Sequence, residues 1–253
     1  MNLHLHFERL SSTSNYLKEL VKKYPMEKLQ DFFPPYFAIT ADIQEEGRGQ
    51  QNKKWESEAG ENLLVSFLLY PKIKPAKQFT VCQYVSVGIS EFIRELFNIP
   101  NVSIKWPNDI YIGDKKVAGI LIEHFICGDS INYTIVGIGM NINQIDFSKS
   151  LPNPTSIYLE TEKKYDPIFC MKSLIKKMKQ TEKLPLTNLK TLYANYLYKR
   201  NIYSDFILPK TSNTPISLKI KGVGEFGLLE LQDKNNTLHC YAFNEIIYLK
   251  KEK

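Results

Sequence analysis

Between Val102 and Asn143 the chain offers four apolar, β-branched runs: "VSIKW", "DIYIG", "KKVAGILIEHFI" and "INYTIVGIGMNIN". Gly113-Asp114 and Gly128-Asp129 separate successive runs. Such pairs favour tight turns, so the neighbouring strands are expected to form antiparallel hairpins. Inside this block the stretch "KWPNDIYIGDKKVAGILIE" sets an acid and several lysines where a core strand is about to form. Pro107 removes a ladder donor and favours an extended Trp106, which ends regular pairing and leaves Asp109 at a strand break.

The flanking segments supply the remaining layers. "NLHLHFERL" alternates, with Leu3, Leu5 and Phe7 on one side and His4, His6 and Glu8 on the other, as a half-buried strand does. No third ligand follows His4 and His6 at useful spacing, so they are expected on the wetter face and not at a metal. "SSTSNYLKELVKKYP" has Ser and Thr N-cap candidates, an apolar stripe and a closing Pro25, which predicts a helix. "YFAITADIQ" and "LLVSFLLYP" read as strands on either side of the polar stretch "EEGRGQQNKKWESEAGEN". A long buried helix is expected over residues 79–96. Two more follow, one opening at Asp166-Pro167 and one carrying Leu189, Leu192, Tyr193, Tyr196 and Leu197 on one face. After Arg200 the texture changes to short strands, "ISLKIKGVG", "FGLLELQD", "TLHCYAF" and "EIIYLK", separated by turns, so the chain is expected to divide into residues 1–200 and a small β domain over 201–253.

Composition narrows the function classes. Hydrophobic residues make up 43% and charged residues 24%, which supports a packed core and excludes wholesale disorder. The formal charge is only +6, and the densest lysine cluster (Lys172, Lys176, Lys177, Lys179) reads as a solvated helix face, so no nucleic-acid partner is expected. Cys82, Cys127, Cys170 and Cys240 form no C-x-x-C pair, as befits free thiols in a reducing compartment. With no run of membrane-spanning length and no secretory leader pattern, a cytoplasmic protein without membrane contact is expected.

Several segments carry candidate chemistry. "GVGEFG" (222–227) satisfies G-x-G-x-x-G, but strand-like "LLEL" follows it in place of a helix, so a β-turn is the better account. The glycine-containing loop with Arg48, Lys53 and Lys54 can close over an anion, although lysines and arginines in surface loops are ordinary. Asp109 can take a divalent cation or simply cap a turn. Lys116 shares strand parity with Ala118, Ile120 and Ile122, and a buried ammonium needs an anion; parity alone does not choose it over Lys115. Gly119 permits close approach. "VGIGMNIN" pairs a small-residue strand end with the amides Asn141 and Asn143, suited to a flat ring or to a bulged strand.

Taken in order, "SSTSNYL", "Q-x-x-G-R-G" with a downstream Trp, "KWPND", "K-x-A-G-I-L-x-E" and "G-x-G-x-N-x-N" resemble the biotin protein ligases over most of the chain. The resemblance implies an α+β fold of the class II aminoacyl-tRNA synthetase type, a mixed, largely antiparallel sheet with helices, plus a C-terminal SH3-like β-barrel. It implies that biotin and ATP give biotinyl-5′-AMP with the help of Mg2+. A lysine of a biotin carboxyl carrier protein then takes the biotinyl group. Lys116 and Arg48 would be catalytic. Ser12, Thr13, Gln44, Gly47 and Gly119 would join them around biotin. Gln50, Lys53, Trp55, Trp106, Asn108 and Asn141 would join them around the nucleotide, and Asp109 would hold the metal.

The loop departs from the family's usual G-R-G-R-x-G-R-x-W. Here it is "GRGQQNKKW", with Gln50, Asn52 and Lys53 at three of those positions. A looser grip on the adenylate is the expected consequence. The chain starts at the catalytic strand, so the ligase without the family's DNA-binding domain is expected; exposed sheet edges permit a homodimer without requiring one. A lipoate–protein ligase is the nearest rival, and a non-catalytic biotin-binding or DNA-binding protein is the rival from another class.

Overall fold

The computed structural model describes residues 3–50, 53–210 and 212–249. Asn52 therefore lies outside the described residues, as does the last residue of the expected strand "EIIYLK".

The strand block that dominates the sequence forms one half of a seven-stranded sheet. Its members are β1 (His4–Leu10), β2 (Ala38–Gln44), β3 (Leu63–Leu69), β4 (Val102–Lys105), β5 (Asp109–Ile112), β6 (Lys115–Cys127) and β7 (Ser130–Met140). They lie in the order β1-β2-β3-β7-β6-β5-β4. Only the β1–β2 pair is parallel, and the four strands from Val102 onward are antiparallel to their neighbours, as the turn glycines require. Gly113 and Gly128 take the positive φ of those turns, +57° and +62°.

β3 is buried along its whole length, which explains its nearly unbroken apolar run. Val65 and Phe67 face one apolar core, and Leu68 faces the other with Ile39 of β2. The first core is covered by α3 (Phe79–Phe97), α5 (Pro167–Thr181) and α6 (Leu186–Tyr196); the second by α1 (Thr13–Val21). The N-caps read from sequence are present: Ser12 accepts from the Asn15 N–H, and Asp166 accepts from the N–H groups of Ile168 and Phe169. Two short helices lay beyond the sequence reading. α2 (Leu29–Phe32) and α4 (Ile157–Thr161) are too brief to show an apolar period.

A second sheet starts at Tyr203. It contains β8 (Tyr203–Leu208), β9 (Ser212–Val223), β10 (Leu229–Gln232), β11 (Leu238–Tyr241) and β12 (Ile247–Tyr248), in the order β11-β10-β9-β8-β12. All its pairings are antiparallel, but β11 and β12 remain edges, so no barrel closes among the described residues. β8 is an addition to the strands read from sequence. Phe206, Leu218, Ile220, Leu229 and Leu231 join the same core as α3 and α6, so this sheet packs firmly on the first. The "GVGEFG" segment is the β9–β10 turn, closed by the Gly227 N–H donating to the Gly224 carbonyl at 2.9 Å.

Candidate active site

A cavity of about 680 Å3 opens between the first sheet, the 48–56 loop and the second sheet. That size suits a small-molecule ligand. Its two ends differ in chemistry.

At one end the start of α1 meets the end of β2. The Thr13 backbone N–H donates to Gln44 Oε1 at 2.8 Å, and the Thr13 hydroxyl donates to the same oxygen at 3.1 Å. The Thr13 and Ser14 hydroxyls each lie 2.8 Å from Ser66 Oγ. Ser12, Thr13, Ser14 and Ser66 are all buried, so this is a neutral hydrogen-bonding layer set by the fold. A Cβ on Gly137 would lie 2.6 Å from Ser14 Oγ, so only glycine leaves room for that hydroxyl. The sequence reading found Ser12, Thr13 and Gln44 but missed Ser14 and Ser66. A lone serine inside "LLVSFLL" was the available signal for Ser66.

At the other end, residues 106–108 form the tight turn between β4 and β5, and the Trp106–Pro107 peptide is cis. Asn108 works on the backbone: its side-chain amide donates to the Ile120 carbonyl at 2.6 Å, and the Ile120 N–H donates to the Asn108 carbonyl at 3.0 Å. The Trp106 indole N–H donates to the Gly227 carbonyl at 2.9 Å, which ties the turn to the second sheet. Asp109 then faces the cavity, with its Oδ1 2.6 Å from Lys116 Nζ.

The parity reading of Lys116 needs correction. The register shifts between Ile110↔Ala118 and Tyr111↔Lys116, a β-bulge that leaves Val117 as an extra residue. A Cβ on Gly119 would come within 3.5 Å of Lys116 Cε, so Lys116 shares a face with Gly119 and not with Ala118 and Ile120. Lys115 points elsewhere and pairs with Glu160. The Lys116 backbone is also fixed, donating to the Asn153 carbonyl at 2.7 Å and accepting from the Thr155 N–H at 2.9 Å.

The polar loop returns across this floor. The Trp55 indole lies flat on Gly139, where a Cβ would sit 2.4 Å from its Cε2. The flat ring that the small-residue strand end accommodates is thus supplied by the protein itself. Lys116 Nζ lies 5.6 Å from the Trp55 ring centroid. Gly47 is buried against the Trp55 carbonyl, 2.5 Å from a would-be Cβ, and does not line the cavity, so its close approach is to the loop backbone. Arg48 reaches Asn15 Oδ1 at 2.6 Å and Glu123 Oε1 at 3.4 Å. Gln50 and Lys53 line the cavity, and both Gln50 Oε1 and Trp55 Nε1 are buried without a hydrogen-bond partner. Asn141 is buried at the wall and donates to the Thr155 carbonyl at 2.9 Å. Asn143 instead brackets the Tyr165 backbone, donating to its carbonyl at 2.8 Å and accepting from its N–H at 2.9 Å.

Among the described residues no group of three or more His, Cys, Asp or Glu side chains could cage a metal. One carboxylate at a cavity wall still fits magnesium, which keeps most of its waters and completes its shell with phosphate oxygens. Asp109 is that carboxylate. Tyr248 of β12, and Phe243 and Ile246 of the β11–β12 connection, also line the cavity, and no site role is read for them from sequence.

A profile of the biotin/lipoate A/B protein ligase family matches residues 6–141, more than half of the chain. The bifunctional ligase/repressor BirA of Bacillus subtilis is 34% identical over 145 residues, covering 57% of this chain and 42% of its own. The human biotin–protein ligase is 29% identical over 168 residues, which is 64% of this chain and 20% of the human one. The chain thus spans less than two thirds of the length of these curated relatives. The biotin protein ligase of Aquifex aeolicus in complex with biotin and ATP superposes with a TM-score of 0.76 at 25% identity, covering 98% of this chain and 99% of that one.

Proposed function

The chain belongs to the biotin/lipoate A/B protein ligase family, and on that premise we propose that it is an ATP-dependent biotin–protein ligase. Biotin is activated as biotinyl-5′-AMP and then transferred to a lysine of a biotin carboxyl carrier domain. The observation that carries this reading is a cavity with a buried neutral hydrogen-bonding layer at one end, Lys116 and Asp109 at the other, and Arg48 on the loop that lines it. Biotin has the same division, with a neutral ureido ring at one end and a carboxylate at the other.

In the first step a biotin carboxylate oxygen attacks the α-phosphorus of ATP, and the bond to pyrophosphate breaks. Both reactants are anions, so the barrier falls where fixed cations face the charge that gathers on phosphorus. Lys116 and Arg48 serve that purpose. Each has an internal partner, Asp109 for Lys116 and Asn15 with Glu123 for Arg48, which stabilises the cation until a ligand exchanges with it. Mg2+, held by Asp109, would neutralise charge on the phosphate oxygens. In the second step the neutral amine of the acceptor lysine attacks the anhydride carbonyl, AMP leaves, and the amine gives up a proton.

Ser12, Thr13 and Gln44 would read the ureido group, with Ser14 and Ser66 fixing the hydroxyl layer behind them. Lipoate offers no ureido N–H or carbonyl to that layer, which favours biotin. The proposal is tested by incubating the protein with ATP, magnesium, biotin and a carboxylase carrier domain, and measuring the carrier by intact mass. Biotinylation that disappears when the acceptor lysine is replaced by arginine supports it. An unmodified carrier, with a control ligase active on the same preparation, contradicts it.

A further inference from the structure

Lys105 differs from the other cations of the cavity in what holds it. It is the last residue of β4 and half-buried, and its ammonium donates to the Tyr111 hydroxyl at 3.1 Å. The same ammonium lies 5.0 Å from the centroid of the Tyr111 ring and 5.0 Å from that of Tyr248. One wall of this cage comes from the first sheet and the other from the second. Tyr198 stands behind both, with ring centroids 5.2 Å from Tyr111 and 6.4 Å from Tyr248, and its hydroxyl donates to Asp114 Oδ1 at 2.6 Å. The cage is therefore braced from outside the cavity.

Aromatic faces attract a cation but do not neutralise it. Asp109 is the register partner of Lys105 across the β4–β5 pair. Asp109 has its closest contact with Lys116, however, and no carboxylate among the described residues forms a salt bridge with Lys105. One carboxylate thus stands between two lysines and pairs with one of them. Lys105, Tyr111 and Tyr248 all line the cavity, so the unneutralised charge faces the ligand space.

We infer that Lys105, in its cage of Tyr111 and Tyr248, binds the terminal phosphates of the nucleotide, the portion that leaves as pyrophosphate. This rests on the proposed ligase reading. Lys116 and Arg48 serve the carboxylate and the α-phosphate, and Lys105 lies beyond Asp109 from Lys116. An approaching acceptor lysine brings its own positive charge and gains nothing from a second ammonium, whereas a polyphosphate tail does. The second sheet thereby contributes Tyr248 to nucleotide binding and holds the leaving group's anchor in place.

The test uses the full chain with Lys105→Met, and Lys105→Arg as the conservative variant. In biotin-dependent ATP–pyrophosphate exchange, Lys105→Met is expected to raise the KM of both ATP and pyrophosphate at least tenfold, with Lys105→Arg restoring part of the loss. Transfer from preformed biotinyl-5′-AMP, which has neither β- nor γ-phosphate, is expected to change less than threefold. Unchanged KM values, or a transfer rate that falls as much as the exchange rate, would overturn the inference. A second measurement needs no variant. Amine acetylation of the wild-type protein, read by peptide mass spectrometry, should slow at Lys105 with inorganic pyrophosphate present and not with AMP. Equal labelling with and without pyrophosphate also overturns it. Should wild type support no exchange with biotin, the ligase reading fails by that result, and the labelling experiment still decides whether Lys105 binds pyrophosphate.

Discussion

The two ends of the cavity are held in opposite ways. At the neutral end Thr13, Ser14, Gln44 and Ser66 satisfy one another within buried backbone and hydroxyl geometry, so this end is set before any ligand arrives. At the charged end Lys116 pairs with Asp109, and Arg48 reaches across to Asn15 and Glu123. Those pairs are partly exposed, and a ligand must exchange with them. A preorganised layer yields recognition, while ion pairs with internal carboxylates keep each cation in place until a ligand exchanges with it. Substitutions should therefore affect biotin binding at one end, and nucleotide binding and the chemical step at the other.

The largest effect is expected from Lys116→Ala. Removing a cation that faces developing charge costs on the order of 3 kcal/mol of transition-state stabilisation, roughly a hundredfold in rate. Exchange measurements should show that loss in kcat with little change in the KM of biotin. Gln44→Ala comes next, at the neutral end. It leaves the Thr13 N–H without its acceptor and removes an amide from the ureido site, a cost of about 1–3 kcal/mol. Calorimetry should report biotin affinity lower by roughly tenfold or more, with kcat at saturation much less affected. If both substitutions change KM and kcat in the same proportion, the two ends do not differ as described.

Gly139→Ala tests the floor between them. The new methyl would overlap the Trp55 indole, and overpacking of this kind costs about 1–3 kcal/mol. The chain has only 2 tryptophans, so displacement of Trp55 should be visible as a shift in intrinsic fluorescence. A smaller effect is expected from Gln50→Arg, which restores a guanidinium to the loop. Release of biotinyl-AMP without acceptor should fall several-fold; an unchanged leak would show that Gln50 does not govern retention.

The thiols give the smallest and simplest contrast. Burial pushes Cys82 and Cys170 up to about 12, and the Cys82 thiol also donates to the Pro107 carbonyl beneath the Trp106–Asn108 turn. At pH 8 their thiolate fraction is about one in ten thousand, and raising the pH toward 12 is what would expose it. Cys127 and Cys240 are exposed. Alkylation at pH 8 should modify these two first, with Cys82 and Cys170 protected until the protein unfolds.

Much of the fold could be read from local pattern. Turn glycines at 113 and 128, the Ser12 and Asp166 caps and the unbroken apolar run of β3 are each decided within a few residues. The residues brought to the cavity were legible where they sit in short motifs, as Asp109 and Lys116 do. What stayed hidden depends on contacts distant in sequence. The bulge at Val117 reverses the parity of Lys116, and nothing in "KKVAGIL" announces it. Trp55 lies on Gly139 although 84 residues separate them, counting from the sequence numbers. Lys105 could be seen as a lysine, but its cage needs Tyr248, which only the packing of the second sheet on the first brings near it.

ATP–pyrophosphate exchange with magnesium, comparing biotin and lipoate side by side, tests the central claim most directly. Exchange that depends on biotin, and that lipoate does not support, is the predicted result. Exchange driven by lipoate, or by neither acid in folded protein, would contradict the account of a neutral end built for the ureido ring and a charged end built for adenylation.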